Sequence, residues 1–314
     1  RHVTKQEHFS RFINTMSLRI GIDLGGTKIE IVALDAAGHQ LVRRRVATPQ
    51  GDYPATLAAV ARLLVTIEAE LGQRGTVGIG IPGAESLADG QIKNANSTCL
   101  NGRPLRADLE ALLQREIRLA NDANCFALSE AIDGAGRGAE VLFGVILGTG
   151  VGGGIVVRSH VLAGANAIAG EWGHNPLPLP TADDLPLPAC YCGRHGCIET
   201  YLCGPALTRD HTQHTGETLD PAQIDQSAAG GDPTCEATLR RYEARLGRAL
   251  ACVINILDPQ VIVLGGGLSN LARLYRNLPA CCGRQVFSGE FHTRIVPPVH
   301  GDSSGVRGAA WLWD

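Results

Sequence analysis

The sequence opens twice with the same pattern: a short apolar strand, a glycine-rich turn and a second apolar strand. The first copy has predicted strands at residues 19–23 and 29–34 around the run LGGTK. The second has predicted strands at residues 140–147 and 155–158 around the run GTGVGGG. Helical periodicity follows each pair, with apolar residues recurring every three or four positions. This repetition predicts a duplicated α/β unit and therefore two similar lobes.

The other predicted elements fit into these two lobes. Those of the first lobe are a strand at 40–46, a helix that ends near residue 71, a strand at 76–81, a helix at 104–116 and a strand at 117–120. Those of the second are a helix at 233–257 and a buried strand at 260–264. We place the lobe boundary near residues 116–122, with a cleft between a small and a large lobe.

The predicted domains are a small lobe at residues 16–120 and a large lobe at residues 121–304. The last helix, at residues 305–313, is expected to pack back on the small lobe. The single methionine, Met16, stands just before the first strand. We therefore interpret residues 1–15 as a disordered upstream extension or tag, too short for a DNA-binding helix pair.

A histidine and three closely spaced cysteines make the most specific cluster in the chain: His174, Cys190, Cys192 and Cys197. One imidazole and three thiolates form the ligand set of a closed, tetrahedral zinc site. Isolated cysteines are usually buried thiols, and a lone histidine is often a core residue. Three cysteines within eight residues favour a metal instead. Four protein ligands leave no open position, so zinc is expected to hold the loop 174–199 without doing chemistry.

Charge and composition argue against several classes of protein. The net charge is only −3, with both signs interspersed, which disfavours a nucleic-acid-binding surface. Apolar runs are short and interrupted, so no membrane span is predicted. Seven of the ten cysteines lie outside the cluster, mostly within helical patterns or beside loops, and this favours a reduced, cytoplasmic location.

Three glycine turns that follow strands are candidates for binding ATP, because exposed backbone N–H groups form a nest for anions. Their residues are Asp23, Gly25, Gly26, Thr27 and Lys28; Gly148, Thr149, Gly150, Gly152 and Gly153; and Gly265, Gly266 and Gly267. Asp23 would hold Mg²⁺ through water, Thr27 or Lys28 would contact phosphate, and the third turn would contact adenine. Hairpins also use glycine for purely steric reasons. Neither a P-loop nor a Rossmann fingerprint is present, and three such turns in two lobes favour a nucleotide cleft.

Asp122 follows a predicted strand and is a candidate general base. Phosphoryl transfer requires positioning, one base and charge neutralisation. The alternative is that Asp122 only caps the following helix. Glu171 and Glu199, near the cysteine cluster, are candidates for sugar binding because carboxylates accept hydrogen bonds from hydroxyl groups.

Taken together, IGIDLGGTK, GIPG, LANDANC, LGTGVGGG, GEWGH, CYCGRHGCIE and VIVLGGGLSN resemble the ROK family of bacterial sugar kinases over residues 18–314. The resemblance implies a two-lobed actin-like ATPase (ribonuclease H-like) fold with duplicated mixed-sheet domains. It implies that Asp122 is the catalytic base, that the first two glycine turns bind ATP phosphates and that the His–Cys₃ set holds structural zinc. The implied sugar contacts are Asn121, Glu171, His174 and Glu199, to which we add Asn96 of the run NANSTCLNG. His174 would ligate zinc and also touch the sugar with its other ring edge.

Within the family, NANSTCLNG, GEWGHNPLPLP and HGDSSGVRGAAWLW are most similar to fructokinases that also accept mannose. We therefore expect ATP- and Mg²⁺-dependent phosphorylation of the 6-hydroxyl of D-fructose. DANCFALSEA and ILGTGVGGG are also similar to N-acetylglucosamine kinases, so N-acetylglucosamine or glucose is the alternative substrate. A sugar-binding regulator without activity is an alternative of another class, although the helix-turn-helix of family regulators is missing. By the same resemblance, a homodimer is expected.

Overall fold

The computed structural model describes residues 18–301 and 304–313. The chain divides into two compact units, and each has its own apolar core. The first unit contains the residues up to Ala120 and those from Ala309 onward, and the second is Asn121–Gly308. The predicted extension at residues 1–15 lies outside the described residues. No helix among the described residues is both long and apolar enough to span a bilayer.

The first unit is built on a five-stranded mixed sheet of order β3-β2-β1-β4-β7. Strand β1 runs antiparallel to β2 and parallel to β4. Its elements are β1 (Arg19–Leu24), β2 (Lys28–Leu34), β3 (Gln40–Ala47), α1 (Tyr53–Leu71), β4 (Thr76–Ile81), β5 (Ala84–Glu85), β6 (Ile92–Lys93), α2 (Leu105–Leu113) and β7 (Arg118–Asn121).

The sequence sets the ends of these helices through local chemistry. The Asp52 side chain accepts a hydrogen bond from the Ala55 N–H and caps α1, which ends at Gly72 with φ of 64°. Helix α2 is shorter than the predicted 104–116, because Gln114 adopts a left-handed conformation with φ of 50°. Arg115 then turns back to pair with Glu68 at 2.6 Å.

The second unit repeats this arrangement with a sheet of order β10-β9-β8-β11-β12. Strand β8 runs antiparallel to β9 and parallel to β11. Its elements are α3 (Asp122–Ile132), β8 (Val141–Leu147), β9 (Val151–Val157), β10 (His160–Val161), α4 (Glu199–Leu202), α5 (Gly204–Thr215), α6 (Pro221–Ala229), α7 (Pro233–Leu257), β11 (Val261–Gly265), α8 (Ala272–Gly283) and β12 (Arg294–Val296). The predicted α/β fold with duplicated mixed sheets is confirmed.

The chain ends in helix α9 (Ser304–Ala310) and a short 3₁₀ turn at Trp311–Trp313. Within the second unit, Gly308 packs directly against the backbone of Cys125, where a side chain would not fit. Within the first unit, the Trp313 indole N–H donates to the Val77 carbonyl at 2.8 Å.

Two parts of the second unit differ from the sequence-based expectation. Strand β9 begins at Val151, whereas a glycine turn was predicted to continue to residue 154. The turn itself is therefore only Gly148–Gly150. Helices α4, α5, α6 and α8 were not predicted; α4 is only four residues long, and α8 contains Pro279 in its interior.

Candidate active site

Helix α3 presents Asp122 as its first residue. The residue that caps this helix is Asn121, whose side-chain oxygen accepts a hydrogen bond from the Ala123 N–H at 2.9 Å. A carboxylate oxygen of Asp122 lies 2.7 Å from the same N–H. Since Asn121 supplies the cap, helix capping does not account for the carboxylate at position 122.

Asp122 is exposed to solvent, yet the surrounding protein makes its charged form unfavourable. Desolvation is the largest effect and raises the pKa of Asp122 above its ordinary value. The hydrogen bond from Ala123 opposes this rise, and the negative charge of Glu171 adds to it. A raised pKa makes this carboxylate a stronger base than an ordinary aspartate.

Strand β9 lies between the segment that carries Glu171 and the helix that carries Asp122. A Cβ atom on Gly153 would lie 2.8 Å from both the Gly170 carbonyl oxygen and Trp172 Cδ1. A Cβ atom on Gly154 would lie 2.5 Å from the Ala123 carbonyl oxygen. Glycine is therefore required here so that both neighbours can approach the strand closely.

The same strand corrects the predicted extent of the phosphate turn. Gly152 and Gly153 lie inside β9 and not in the turn before it. The Gly152 carbonyl accepts a hydrogen bond from the Trp172 indole N–H at 2.9 Å. Close packing gives Gly153 a structural role, and the nucleotide contacts predicted at Gly152 and Gly153 stay predictions.

The turn Gly148–Gly150 is held by residues that follow the cysteine cluster. Glu199 Oε2 accepts a hydrogen bond from the Val151 N–H at 2.9 Å. The Gly204 N–H donates to the Gly148 carbonyl at 2.8 Å. Glu199 was predicted to contact sugar, and the structure adds a direct contact with the predicted phosphate turn.

The second and third glycine turns lie at the same edge of the sheet. Strands β8 and β11 are parallel neighbours, so their carboxyl ends meet there. Gly266 has φ of 79°, and a Cβ atom on it would lie 2.5 Å from the Leu147 carbonyl oxygen. Parallel strands commonly bind ligands at this edge. The structure therefore brings Gly148, Thr149 and Gly150 close to Gly265, Gly266 and Gly267.

The first glycine turn and Asn96 belong to the first unit. The turn is closed by the Gly25 N–H, which donates to the Lys28 carbonyl at 3.0 Å. Gly26 and Thr27 are exposed, and Asp23 is half-buried. The Lys28 ammonium lies 3.8 Å from Glu30, a buried carboxylate that also pairs with Arg43 and Arg45. Asn96 is exposed.

His174, Cys190, Cys192 and Cys197 form one cluster, and their ligand atoms all lie within 4.8 Å of one another. Cys190 Sγ lies 3.6 Å from His174 Nδ1, and Cys192 Sγ lies 3.6 Å from Cys197 Sγ. Ligands of tetrahedral zinc at about 2.3 Å are separated from one another by about 3.8 Å. The donor set and its spacing therefore fit the predicted zinc ion.

The thiols of this cluster differ in acidity. A hydrogen bond from the Arg194 backbone is the main reason why the pKa of Cys192 falls to about 7. Desolvation and the neighbouring thiols raise the pKa of Cys197 to about 12. Neighbouring thiolates repel one another, so one negative charge disfavours the next. A cation that the thiols share would stabilise all of them as thiolates.

Two residues near the His–Cys₃ cluster were not identified from the sequence. The Tyr191 hydroxyl lies 2.9 Å from His174 Nε2, and its position between two cysteines of the cluster is the only signal in the sequence. Asp184 is buried and pairs with Arg245 and Arg248 of α7, each at 2.7 Å. Nothing local in the sequence indicates this pairing, which anchors the loop before the cysteines to the long helix.

Comparison with known proteins decides the family. The model of the ROK family matches residues 19–314. The chain belongs to the ROK family. It is 41% identical over 296 residues to the N-acetyl-D-glucosamine kinase of Yersinia pseudotuberculosis serotype IB (strain PB1/+), covering 93% of this chain and 97% of that protein.

Two solved ROK structures are similar to this chain in fold. The ROK hexokinase of Thermus thermophilus has a TM-score of 0.83 and 33% identity, covering 94% of this chain and 97% of that chain. The ROK glucokinase of Streptomyces griseus, in complex with glucose and AMPPNP, has a TM-score of 0.74 and 28% identity, covering 94% and 99%. These similarities extend over both units of the ROK protein described here.

Proposed function

We propose that this ROK protein is an ATP-dependent sugar kinase that phosphorylates the 6-hydroxyl of N-acetyl-D-glucosamine. The observation that carries the reaction is Asp122, an exposed carboxylate with a raised pKa whose helix is capped by its neighbour. The substrate rests on the 41% identity to a kinase of that sugar. The sequence motifs favoured fructose, but none of the relatives described above is named a fructokinase. The alternative substrate, N-acetyl-D-glucosamine, agrees better with them.

In the proposed reaction, Asp122 accepts the proton of the 6-hydroxyl while that oxygen attacks the γ-phosphorus of ATP. The bond from the γ-phosphorus to its bridging oxygen breaks, and ADP leaves with the bond electrons. Asp122 then releases its proton to solvent. The raised pKa suits this role, because a base is most effective when its pKa approaches the working pH.

The remaining groups are proposed to position the two substrates and to neutralise the charge of the phosphates. Asn121, Glu171, His174 and Glu199 are the proposed sugar contacts in the second unit, and Asn96 is the one in the first. The turns at Gly148–Gly150 and Gly265–Gly267 are the proposed phosphate and adenine contacts of the second unit. In the first unit, Asp23 would hold Mg²⁺ through water and Gly25, Gly26, Thr27 and Lys28 would meet phosphate. The His–Cys₃ cluster is proposed to hold structural zinc.

The test is an ADP-release assay with N-acetyl-D-glucosamine, D-fructose, D-mannose and D-glucose. We expect the highest kcat/KM with N-acetyl-D-glucosamine. A clear preference for fructose would restore the fructokinase assignment. No ADP with any sugar, together with measurable sugar binding by calorimetry, would favour the regulator. The homodimer and the cytoplasmic location stay predictions.

A further inference from the structure

The first unit carries charged side chains on the face of its sheet that is turned away from its apolar core. Ile29 and Ile31 of β2 are buried in that core. Because the side chains of a strand alternate between its two faces, Lys28 and Glu30 lie on the other face. Asp23 of β1 stands directly opposite Glu30 and shares this face. Glu30 therefore has as neighbours the two residues of the first glycine turn that are proposed to hold Mg²⁺ and to meet phosphate.

The carboxylate of Glu30 is only 1% exposed, and each of its oxygens accepts a hydrogen bond from an arginine. Arg45 stands directly opposite it on β3, and its Nε–H donates to Oε2 at 2.6 Å. The Nε–H of Arg43 donates to Oε1 at 2.5 Å. A buried carboxylate that loses its cation becomes strongly unfavourable, so the remaining cations are drawn to it. The two arginines neutralise Glu30 beside a second carboxylate, that of Asp23.

Lys28 is the third cation near this carboxylate, and its ammonium does not reach it. Lys28 Nζ lies 3.8 Å from Glu30 Oε2, beyond hydrogen-bond distance, and the side chain is 47% exposed. Arg45 donates to that same oxygen. If Arg45 were removed, the flexible stem of Lys28 would let its ammonium close to about 2.8 Å from the carboxylate. Arg45 thus keeps the ammonium of Lys28 apart from Glu30.

We propose that Arg43 and Arg45 are positioning residues for ATP: they occupy the carboxylate of Glu30, so that the ammonium of Lys28 stays available to the phosphates. This inference rests on the proposed function, in which Lys28 meets phosphate. The arginines act through Glu30 and Lys28 and need no contact with the nucleotide. Loss of either arginine weakens nucleotide binding because Lys28 is then captured by Glu30.

The test is Arg45→Met, which keeps much of the apolar stem and removes the charge. We expect the calorimetric Kd for Mg²⁺-bound AMPPNP and the KM for ATP to rise about tenfold, the effect of one lost hydrogen bond between charged groups. The Kd for N-acetyl-D-glucosamine should stay within about twofold of wild type, which general damage to the fold would not allow. Arg43→Met exposes the other oxygen of Glu30 and is measured in parallel, so the test does not depend on one variant.

The decisive measurement is a rescue. Adding Glu30→Gln to Arg45→Met removes the anion that captures Lys28, and nucleotide affinity should return to within about threefold of wild type. Weak nucleotide binding that Glu30→Gln does not restore would overturn the inference, because Arg45 would then contact phosphate itself or only hold the sheet together. Unchanged affinity in both Arg45→Met and Arg43→Met would overturn it as well.

The matched control is Arg44→Met. Arg44 lies between the two arginines on β3, but on the opposite face, where it pairs with Glu70 of α1 at 3.2 Å. Its replacement should leave the Kd for AMPPNP unchanged. Wild-type protein that binds no AMPPNP would overturn the proposed function and this inference together. Wild-type protein that binds AMPPNP no better than Arg45→Met would overturn the inference alone.

Discussion

The carboxylate of Glu199 accepts a hydrogen bond from the backbone N–H of Val151 at 2.9 Å. Glu199 stands two residues after Cys197, and Val151 directly follows the turn Gly148–Gly150. One carboxylate thus connects the metal-bearing segment to the turn proposed to bind phosphate. If Glu199 also binds sugar, the two substrates are coupled through a single side chain.

Removing this carboxylate should weaken both substrates. We expect Glu199→Ala to raise KM for sugar and KM for ATP by about fivefold or more each, because a sugar contact and the support of the turn are lost together. Steady-state kinetics with each substrate varied in turn measures this. Glu217→Ala, at an exposed position, is the control and should change neither KM. A rise in KM for sugar alone would contradict the proposed coupling.

Replacing the proposed base should separate catalysis from stability. Asp122→Asn should lower kcat by about 10²-fold or more, because the amide cannot accept the hydroxyl proton. A raised pKa in the folded state means that wild-type stability declines as pH rises through that pKa. The amide removes this loss, so the melting temperature at pH 7 should be higher than that of wild type. Near-normal kcat would return Asp122 to the role of a helix residue without chemistry.

The fall of kcat at low pH, the acid limb of the pH–rate profile, should depend on Glu171. Desolvation first, and the charge of Glu171 in addition, raise the pKa of Asp122. The base works only when deprotonated, so kcat falls as pH drops through this pKa. Glu171→Gln should shift that limb to lower pH, measured as kcat at saturating sugar from pH 4 to 8. Glu140→Gln, at an exposed position, should leave the limb in place. An unmoved limb in Glu171→Gln would mean that another group sets it.

The metal cluster should be required for sugar affinity more than for nucleotide affinity. Purified protein is expected to contain about one zinc per chain. Cys192→Ser should lower zinc content and melting temperature and raise KM for sugar, because metal-binding energy is partly folding energy. Cys252→Ser changes an exposed cysteine outside the cluster and should leave all three unchanged. A zinc-free wild-type protein with full sugar affinity would show that the cluster has another role.

Two adjacent glycines should respond differently to a methyl group. Gly153→Ala places Cβ 2.8 Å from Trp172 Cδ1 and should destabilise the protein by about 1–3 kcal/mol, the usual cost of overpacking. Gly152→Ala meets only ordinary contact, with Ala123 Cβ at 3.4 Å, and should keep wild-type stability. Thermal denaturation compares the two variants directly. Equal stability of the two variants would mean that the segment at Gly170 and Trp172 can shift to accommodate the methyl group. A raised KM for ATP in Gly152→Ala would support the predicted nucleotide contact at that residue.

The duplicated α/β fold, the cysteine cluster and the candidate base could all be predicted from the order of residues. These features are local or periodic. Apolar alternation specifies a strand, three cysteines within eight residues specify a ligand set, and a strand followed by a helix places Asp122 at its junction. The correct prediction of β8 and the incorrect start of β9 show the limit of such patterns. A run of glycines predicts a turn, although most of this run lies in a strand that two neighbouring segments of the chain approach closely.

Contacts between residues that are distant in the chain became visible only in the folded protein. Val151 lies 48 positions before Glu199, and Asp184 lies 61 positions before Arg245, so no local pattern connects either pair. Tyr191 acquires its relation to His174 because the cluster folds residue 191 back over residue 174. The pKa of Asp122 depends on the protein that packs around it and on Glu171, which is distant in the chain. Desolvation and hydrogen-bond direction are properties of three-dimensional surroundings, and the order of residues does not contain them until the chain has folded.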